Sequence, residues 1–293
     1  MKASPKSILV ALEEVLKAAS HVSEDEWIHG KVMARVLADL AEAADTEISD
    51  TELIHASLTT AYKALGVTDP YDNEKARANK MMLSLVESMR TLVDGAADPL
   101  QASMRVALAA AVWDMRTVKR DEVLPALKAT LDAPLARDDG EALANALNQA
   151  QSILYFVGEA GEVVTDRLLI ERLAKKARVT VVARAEPIVT EATREDCAMT
   201  GLDKIPNVDI IDTGLPMLGI WLERIRKELR EQIRDVDIVI SKGVYNCETL
   251  LAADREVYFF TPARGKALRE ALGVPEDAGV IARYQGEPAA DSE

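Results

Sequence analysis

Cysteine, histidine and aromatic side chains are all scarce in this chain of 293 residues, which holds two Cys, three His and 4% aromatics. Cys197 and Cys247 are too few for a disulfide framework or a Cys-rich metal site. His21, His29 and His55 lack metal-ligand spacing, and no His neighbours either cysteine, so neither a histidine metal site nor a catalytic thiol is expected. Positive charge is in deficit too: 35 basic against 49 acidic side chains leave a formal charge of −14. That balance excludes a general nucleic-acid binder, which needs clustered Lys and Arg to displace counterions from phosphates. The first 150 residues hold 24 acidic and 16 basic side chains and the rest hold 25 and 19, so the acid is a solvated coat and not a tail. Long apolar runs are missing. The longest, Val106–Trp113, is far short of the roughly 20 residues a membrane helix requires, and no signal-peptide core follows Met1–Lys6. Dinucleotide, phosphate-loop and nucleophile-elbow glycine motifs are absent. A soluble, globular, cytoplasmic protein is expected, with no nucleic-acid or membrane partner; without sustained heptads its oligomeric state stays open.

What is present divides the chain in two. From Ser7 to about Leu147 apolar residues recur at helical spacing, as in Ile8, Ala11, Leu12 and Val15, or Val32, Val36, Leu37 and Leu40. Breaks fall at Gly66–Pro70, Gly95–Pro99 and Arg137–Gly140, and Asp69-Pro70 and Asp98-Pro99 read as helix starts. About six or seven helices are expected, as a helical domain over residues 1–150. After Gln151 short aliphatic runs appear at Ile153–Val157, Val179–Ala183, Val208–Ile211, Ile238–Ser241, Val257–Thr261 and Val280–Ala282. Helical stretches lie between them at Val163–Lys176, Glu191–Thr200, Met217–Ile233, Glu248–Ala253 and Gly265–Leu272. Alternating strands and helices predict an α/β domain over 151–293, with a mainly parallel sheet covered on both faces.

Ligands of such sheets bind beyond the carboxyl ends of the strands. The first strand runs into Gly158-Glu-Ala-Gly-Glu162 and a helix carrying Asp166, and the second leads through Arg184 to Thr190-Glu191, where Thr190 reads as an N-cap. Each feature has a plain account in helix capping and helix dipoles. Together, Glu159 and Glu191 give two carboxylates on adjacent strand ends, a donor set suited to a hard divalent cation. The third strand ends at Asp212-Thr-Gly214 and the fourth at Ser241-Lys-Gly-Val-Tyr-Asn-Cys-Glu248. There Lys242 suits a phosphate as a point charge, Asn246 can donate and accept, and Glu248 can orient the lysine or take a proton. Removing Lys242 is expected to abolish phosphate binding and leave the fold intact.

The order of these segments resembles the damage-control phosphatase family, the ARMT-like metal-dependent phosphatases of archaeal and bacterial type. The resemblance covers about residues 60 to 285. It rests on Gly66–Tyr71 with Lys75 and Asn79, Asp98-Pro-Leu100, Asp114, Leu154-Tyr155, Ala160–Glu162 with Asp166, and Val182–Arg184 with Pro187. Further along it rests on Ala192-Thr193 with Asp196, Asp212–Gly214, and Lys242-Gly243 with Asn246 and Glu248. It implies a helical domain before a Rossmann-like domain, and a divalent metal (Mn, Co, Ni or Mg) at the site. It also implies a small phosphorylated metabolite as substrate. On this reading Glu159 and Glu191 hold the metal, Arg184, Glu162, Asp212 and Gly243 bind substrate, and Lys242, Asn246 and Glu248 are catalytic. The family's Asp-Asn ligand pair is Gly158-Glu159 here, its Asn-Asp is Thr190-Glu191, and Tyr245 replaces the second glycine of Lys-Gly-x-Gly-Asn. Two function classes therefore follow: a metal-dependent phosphatase, or a metal-free relative that binds a ligand or a partner protein. A transferase or isomerase reusing the same crevice is a third.

Overall fold

The computed structural model describes residues 5–43, 48–113 and 117–286; Asp114 lies outside them. Among the described residues there are thirteen α-helices and one seven-stranded sheet, so the chain is α/β. It forms two compact units, residues 1–73 with 187–190 and residues 74–186 with 191–293.

The first unit is built on α1 (Pro5–Val22), α2 (Glu26–Ala43) and α3 (Asp50–Leu65). Small and aliphatic residues at helical spacing, among them Ala11, Val15 and Ala18 of α1, Val36 of α2 and Leu58 of α3, are fully buried. At the start of α3 the Ser49 hydroxyl accepts the Glu52 N–H, and Gly66 at φ +70° ends it in the left-handed conformation a glycine adopts without strain. The Tyr62 hydroxyl accepts the Val189 N–H at 3.0 Å, which ties residues 187–190 to this unit.

The second unit begins with α4 (Asp72–Leu83), α5 (Val86–Asp94), α6 (Pro99–Val112) and α7 (Arg120–Asp132), followed by β1 (Arg137–Asp138) and α8 (Gly140–Ala146). The division thus falls at residue 73, whereas the change of period in the sequence placed it near 150. The reason is α6, which is apolar on nearly every side. Its Val106 and Ala109 pack with α4, α5 and α7, while its Met104, Ala107 and Leu108 pack on the sheet. Periodicity identifies a helix without identifying what it packs on.

The sheet continues through β2 (Ser152–Phe156), α9 (Glu162–Leu173), β3 (Arg178–Ala183), α10 (Arg194–Met199), β4 (Val208–Asp212), α11 (Lys227–Asp235) and β5 (Ile238–Lys242). It ends with α12 (Val244–Leu250), β6 (Glu256–Pro262), α13 (Lys266–Leu272) and β7 (Gly279–Gln285). Its order is β1-β7-β6-β5-β2-β3-β4, parallel apart from the antiparallel pair of β6 and β7. Side chains alternate across it: Ile153 and Tyr155 join the core with α6, α8 and α9, and Leu154 and Phe156 join the core with α11, α12 and α13. Chain order reverses at β2, with β3 and β4 on one side and β5 and β6 on the other. Their carboxyl ends therefore flank a topological switch point.

Three predicted helices are displaced. Met217–Ile233 contracts to α11, because Gly214 and Gly219 turn at φ +76° and +77° and a Cβ on Gly219 would stand 2.6 Å from Thr249. The helix expected from Glu248 starts at Val244, directly after Gly243 at φ +83°. The helix expected from Glu191, with Thr190 as its cap, starts at Arg194. Thr193 is the N-cap, in a reciprocal capping box with Asp196.

Candidate functional site

Lys242 closes β5 and is fully buried. Its ammonium donates to Asp166 Oδ1 at 2.5 Å and lies 3.1 Å from Glu162 Oε2; both carboxylates sit one turn apart on α9, so they share a face. Burial alone would lower the pKa of Lys242, but the charges of Asp166 and Glu162 outweigh burial and hold it above its ordinary value. One ammonium does not neutralise two carboxylates in a dry site. Burial accordingly raises Asp166, and it pushes Glu162 up to about 7 against the pull of Lys242. Beyond the Lys242 ammonium, Glu162 Oε2 has no further hydrogen-bond donor among the described residues. Burial beside Asp166 holds the Tyr155 hydroxyl well above its ordinary range, so it stays neutral.

Gly158 is what lets Glu162 reach this position. A Cβ on residue 158 would stand 2.8 Å from Glu162 Oε2, so the carboxylate fills the volume where a side chain would begin. A Cβ on Gly243 would lie 3.7 Å from the Gly158 Cα, so the loops after β2 and β5 pass in contact. Gly161, at φ +82°, turns the chain into α9, and its N–H donates to Asn79 Oδ1 at 2.7 Å. The Asn79 amide in turn donates to Asp196 at 2.7 Å, so one asparagine of α4 fastens the loop after β2 to α10.

A second network joins the ends of β3 and β5. Arg184, 2% exposed, donates to Glu191 Oε2 at 3.0 and 2.7 Å, to the Gly219 carbonyl at 2.7 Å, and to Asn246 Oδ1. Asn246 Nδ2 donates to the carbonyls of Val157 at 2.9 Å and Lys242 at 3.0 Å. Both ends of the amide are engaged, which makes Asn246 a clamp between strand ends. Glu191 forms an antiparallel bridge with Glu159, so the two carboxylates project from one face.

The structure thus brings together Glu159, Glu162, Arg184, Glu191, Lys242, Gly243 and Asn246 at the ends of β2, β3 and β5. Glu248, half-buried, follows on α12. Asp212 stands apart on the edge strand β4, with Arg194 Nη1 at 3.2 Å, Arg226 Nη2 at 3.4 Å, and the Gly214 N–H donating to it at 2.9 Å. Lys242 is not an exposed point charge but an internal one. Sequence reasoning named Tyr155 and Asn79 only as points of resemblance and gave neither a place in the site. The Glu162–Asp166 pair was detectable from its four-residue spacing; Asn79 carries no local signal, since its partners lie 82 and 117 residues away.

Two adjoining clefts of about 510 Å³ each open elsewhere, at the amino ends of the strands. Lys175 and Asn207 line both, and neither contains a predicted site residue.

A resident divalent metal needs three or more oxygen donors aimed at one point. Among the described residues no three His, Cys, Asp or Glu side chains are so placed. Position 158 offers no side chain, and Arg184 already holds Glu191. The residues present do not fit a resident metal of the family's kind.

The sequence profile of the damage-control phosphatase ARMT1-like domain matches residues 3–280. A damage-control phosphatase of Archaeoglobus fulgidus is 26% identical over 280 residues, covering 94% of this chain and 96% of that protein. A damage-control phosphatase of Pyrococcus horikoshii is 28% identical over 226 residues, covering 76% and 77%. The fold is that of a DUF89 family protein from Pyrococcus horikoshii, whose crystal structure superposes with a TM-score of 0.89 at 24% identity over 97% of this chain and all of that one. The match over nearly the whole chain places it: the chain belongs to the damage-control phosphatase ARMT1-like domain family.

Proposed function

We propose that this chain is a divalent-cation-dependent phosphatase of a small phosphorylated metabolite, acting at the carboxyl ends of β2, β3 and β5. One observation supports the reading best. Three buried carboxylates, Glu162, Asp166 and Glu191, share two cations, Lys242 and Arg184, with Glu159 beside them. An anionic phosphate is repelled from such a site unless positive charge accompanies it. Within the site, Lys242 and Arg184 hold the carboxylates in place. Glu162, whose pKa of about 7 leaves it part-protonated at neutrality, suits the transfer of a proton to a leaving oxygen. The backbone of Gly158 and Gly243 forms the close-packed floor.

The test is hydrolysis of a chromogenic phosphate ester with Mn²⁺, Co²⁺, Ni²⁺ or Mg²⁺, with a chelator control. Hydrolysis with at least one metal, lost on chelation, is expected; none with any metal sinks the reading. A second reading, a metal-free relative that binds a ligand or partner protein, is favoured by Gly158 and by the hold of Arg184 on Glu191. It requires no turnover, with ligand-induced thermal stabilisation that survives chelation.

A further inference from the structure

We infer that Tyr62 and Val189 are positioning residues: a strained turn at Val189, pinned by the Tyr62 hydroxyl, sets where the Glu191 carboxylate stands. The use of that carboxylate in catalysis rests on the phosphatase reading; its placement does not. The first observation is a backbone conformation. Val189 sits at φ +41° and is buried. A β-branched residue at positive φ is a genuine outlier, kept only where its surroundings over-determine it. The other non-glycine residues at positive φ among the described ones, Asn207 and Asp277, are of types that enter this region readily.

The surroundings of Val189 meet that requirement. Its N–H donates to the Tyr62 hydroxyl at 3.0 Å, and Tyr62 is itself buried on α3. Ile188 and Thr190, on either side, are buried as well. Three residues on, the chain is held again. The Ala192 N–H donates to the Gly158 carbonyl at 2.9 Å, and the Ala192 carbonyl accepts the Arg184 N–H at 2.9 Å. Glu191 therefore lies on a short span fixed at both ends. From there its Oε2 accepts from Arg184 Nε at 3.0 Å and Nη2 at 2.7 Å, and its backbone bridges Glu159. Residues 187–190 belong to the first compact unit and Glu191 to the second, so the hold of α3 reaches the site along the chain, through one turn. Strain of this kind collects where a geometry must be held, and here it stands two residues before the site carboxylate.

The test uses the full chain and reads the Arg184 Nε–H, a buried proton bonded directly to Glu191, by its NMR chemical shift and hydrogen exchange. Tyr62→Phe keeps the ring and takes the acceptor from a buried N–H. It should speed exchange roughly ten- to a hundredfold at Val189, Ala192 and Arg184 Nε, and move the Arg184 Nε–H resonance. Amides of the inner strands β2 and β5 should keep their rates. Val189→Gly keeps the hydrogen bond and adopts the turn without strain, so it should leave that resonance in place whatever happens to the melting temperature. An even rise in exchange over the whole chain makes Tyr62 merely structural and overturns the inference. So does an unmoved Arg184 Nε–H in Tyr62→Phe, or a displacement as large in Val189→Gly. In a protein that hydrolyses the chromogenic ester, Tyr62→Phe should lower kcat about ten- to a hundredfold with KM little changed, as a small misplacement does. An unchanged kcat overturns the positioning role and leaves the phosphatase reading standing. Absence of hydrolysis in the native protein removes the phosphatase reading alone, because the Arg184 resonance still decides the placement of Glu191.

Discussion

At the scale of single residues, the site is a set of buried charges that restrain one another. Lys242 bears on the fold as much as on any ligand. Removing one partner of a buried ion pair strands the other, which costs about 3–5 kcal/mol, far more than the same change at a surface pair. Lys242→Ala is therefore expected to lower unfolding free energy by that order in chemical denaturation. This reverses the expectation from sequence that the fold would be untouched; a loss below about 1 kcal/mol, the surface value, would count against the buried cluster. Glu162 gives a second, pH-based signature. Folding moves its pKa from the ordinary 4.5 to about 7, so between those limits the folded state holds a proton that the unfolded chain has released. Stability on this account is highest below about 4.5, falls as pH rises through the window, and levels off above 7. Carboxylates held below their ordinary range, such as Glu171 with Arg90 and Arg167, titrate beneath that window, and Asp166, raised by the same burial, acts in the same direction as Glu162. Denaturation series across the window should show this decline in the native protein and a shallower one in Glu162→Gln; an equally steep decline in the variant assigns it elsewhere.

At the scale of elements, what was legible in the sequence follows from how local each signal is. The six predicted strands lie where expected: the inner ones, buried on both faces, must be aliphatic along their length, while β4 at the edge is only partly covered and mixes aliphatic with acidic residues. Helix starts were less legible, because a cap is a competition between neighbours. Thr190-Glu191 and Thr193-Asp196 both look like caps, but only the second closes reciprocally: Thr193 Oγ1 accepts the Asp196 N–H and Asp196 accepts the Thr193 N–H. Glu191 is thereby released from α10 into the bridge with Glu159 and the reach of Arg184. Thr193→Ala should cost about 1 kcal/mol, the usual worth of a cap. It should also loosen the Glu191 loop, seen as faster amide exchange at Ala192, whose N–H donates to the Gly158 carbonyl at 2.9 Å; unchanged exchange there would uncouple cap from site. Most of the residues named from the sequence do lie together at the ends of β2, β3 and β5, since strand ends are where a parallel sheet gathers polar side chains. Their partners were not legible, because Lys242 meets Asp166 across 76 residues and Arg184 meets Asn246 across 62, and no local pattern encodes those pairings.

At the scale of the whole molecule, the charge of −14 acts on whatever approaches. A field of one sign lowers the local concentration of like-charged ligands, and salt relieves it. A phosphate monoester near neutral pH carries about −1.5 to −2 charges, so as a free anion it meets repulsion from the coat before it meets the crevice. A one-to-one complex with a divalent cation is nearly neutral and passes through the same field with little resistance. The two routes therefore differ in their response to ionic strength, which shortens the screening distance to about 8 Å under physiological conditions. With the divalent cation in excess over ester, kcat/KM should change little as sodium chloride is raised from low to physiological concentration. With the cation kept below the ester, the free anion dominates and kcat/KM should rise with salt, opposite to an enzyme that attracts its substrate electrostatically. Initial rates across a salt series at both ratios provide the check. If kcat/KM falls with salt at both ratios, a local positive entrance governs approach in spite of the net charge, and the carboxylates around Lys242 do not set what the crevice admits.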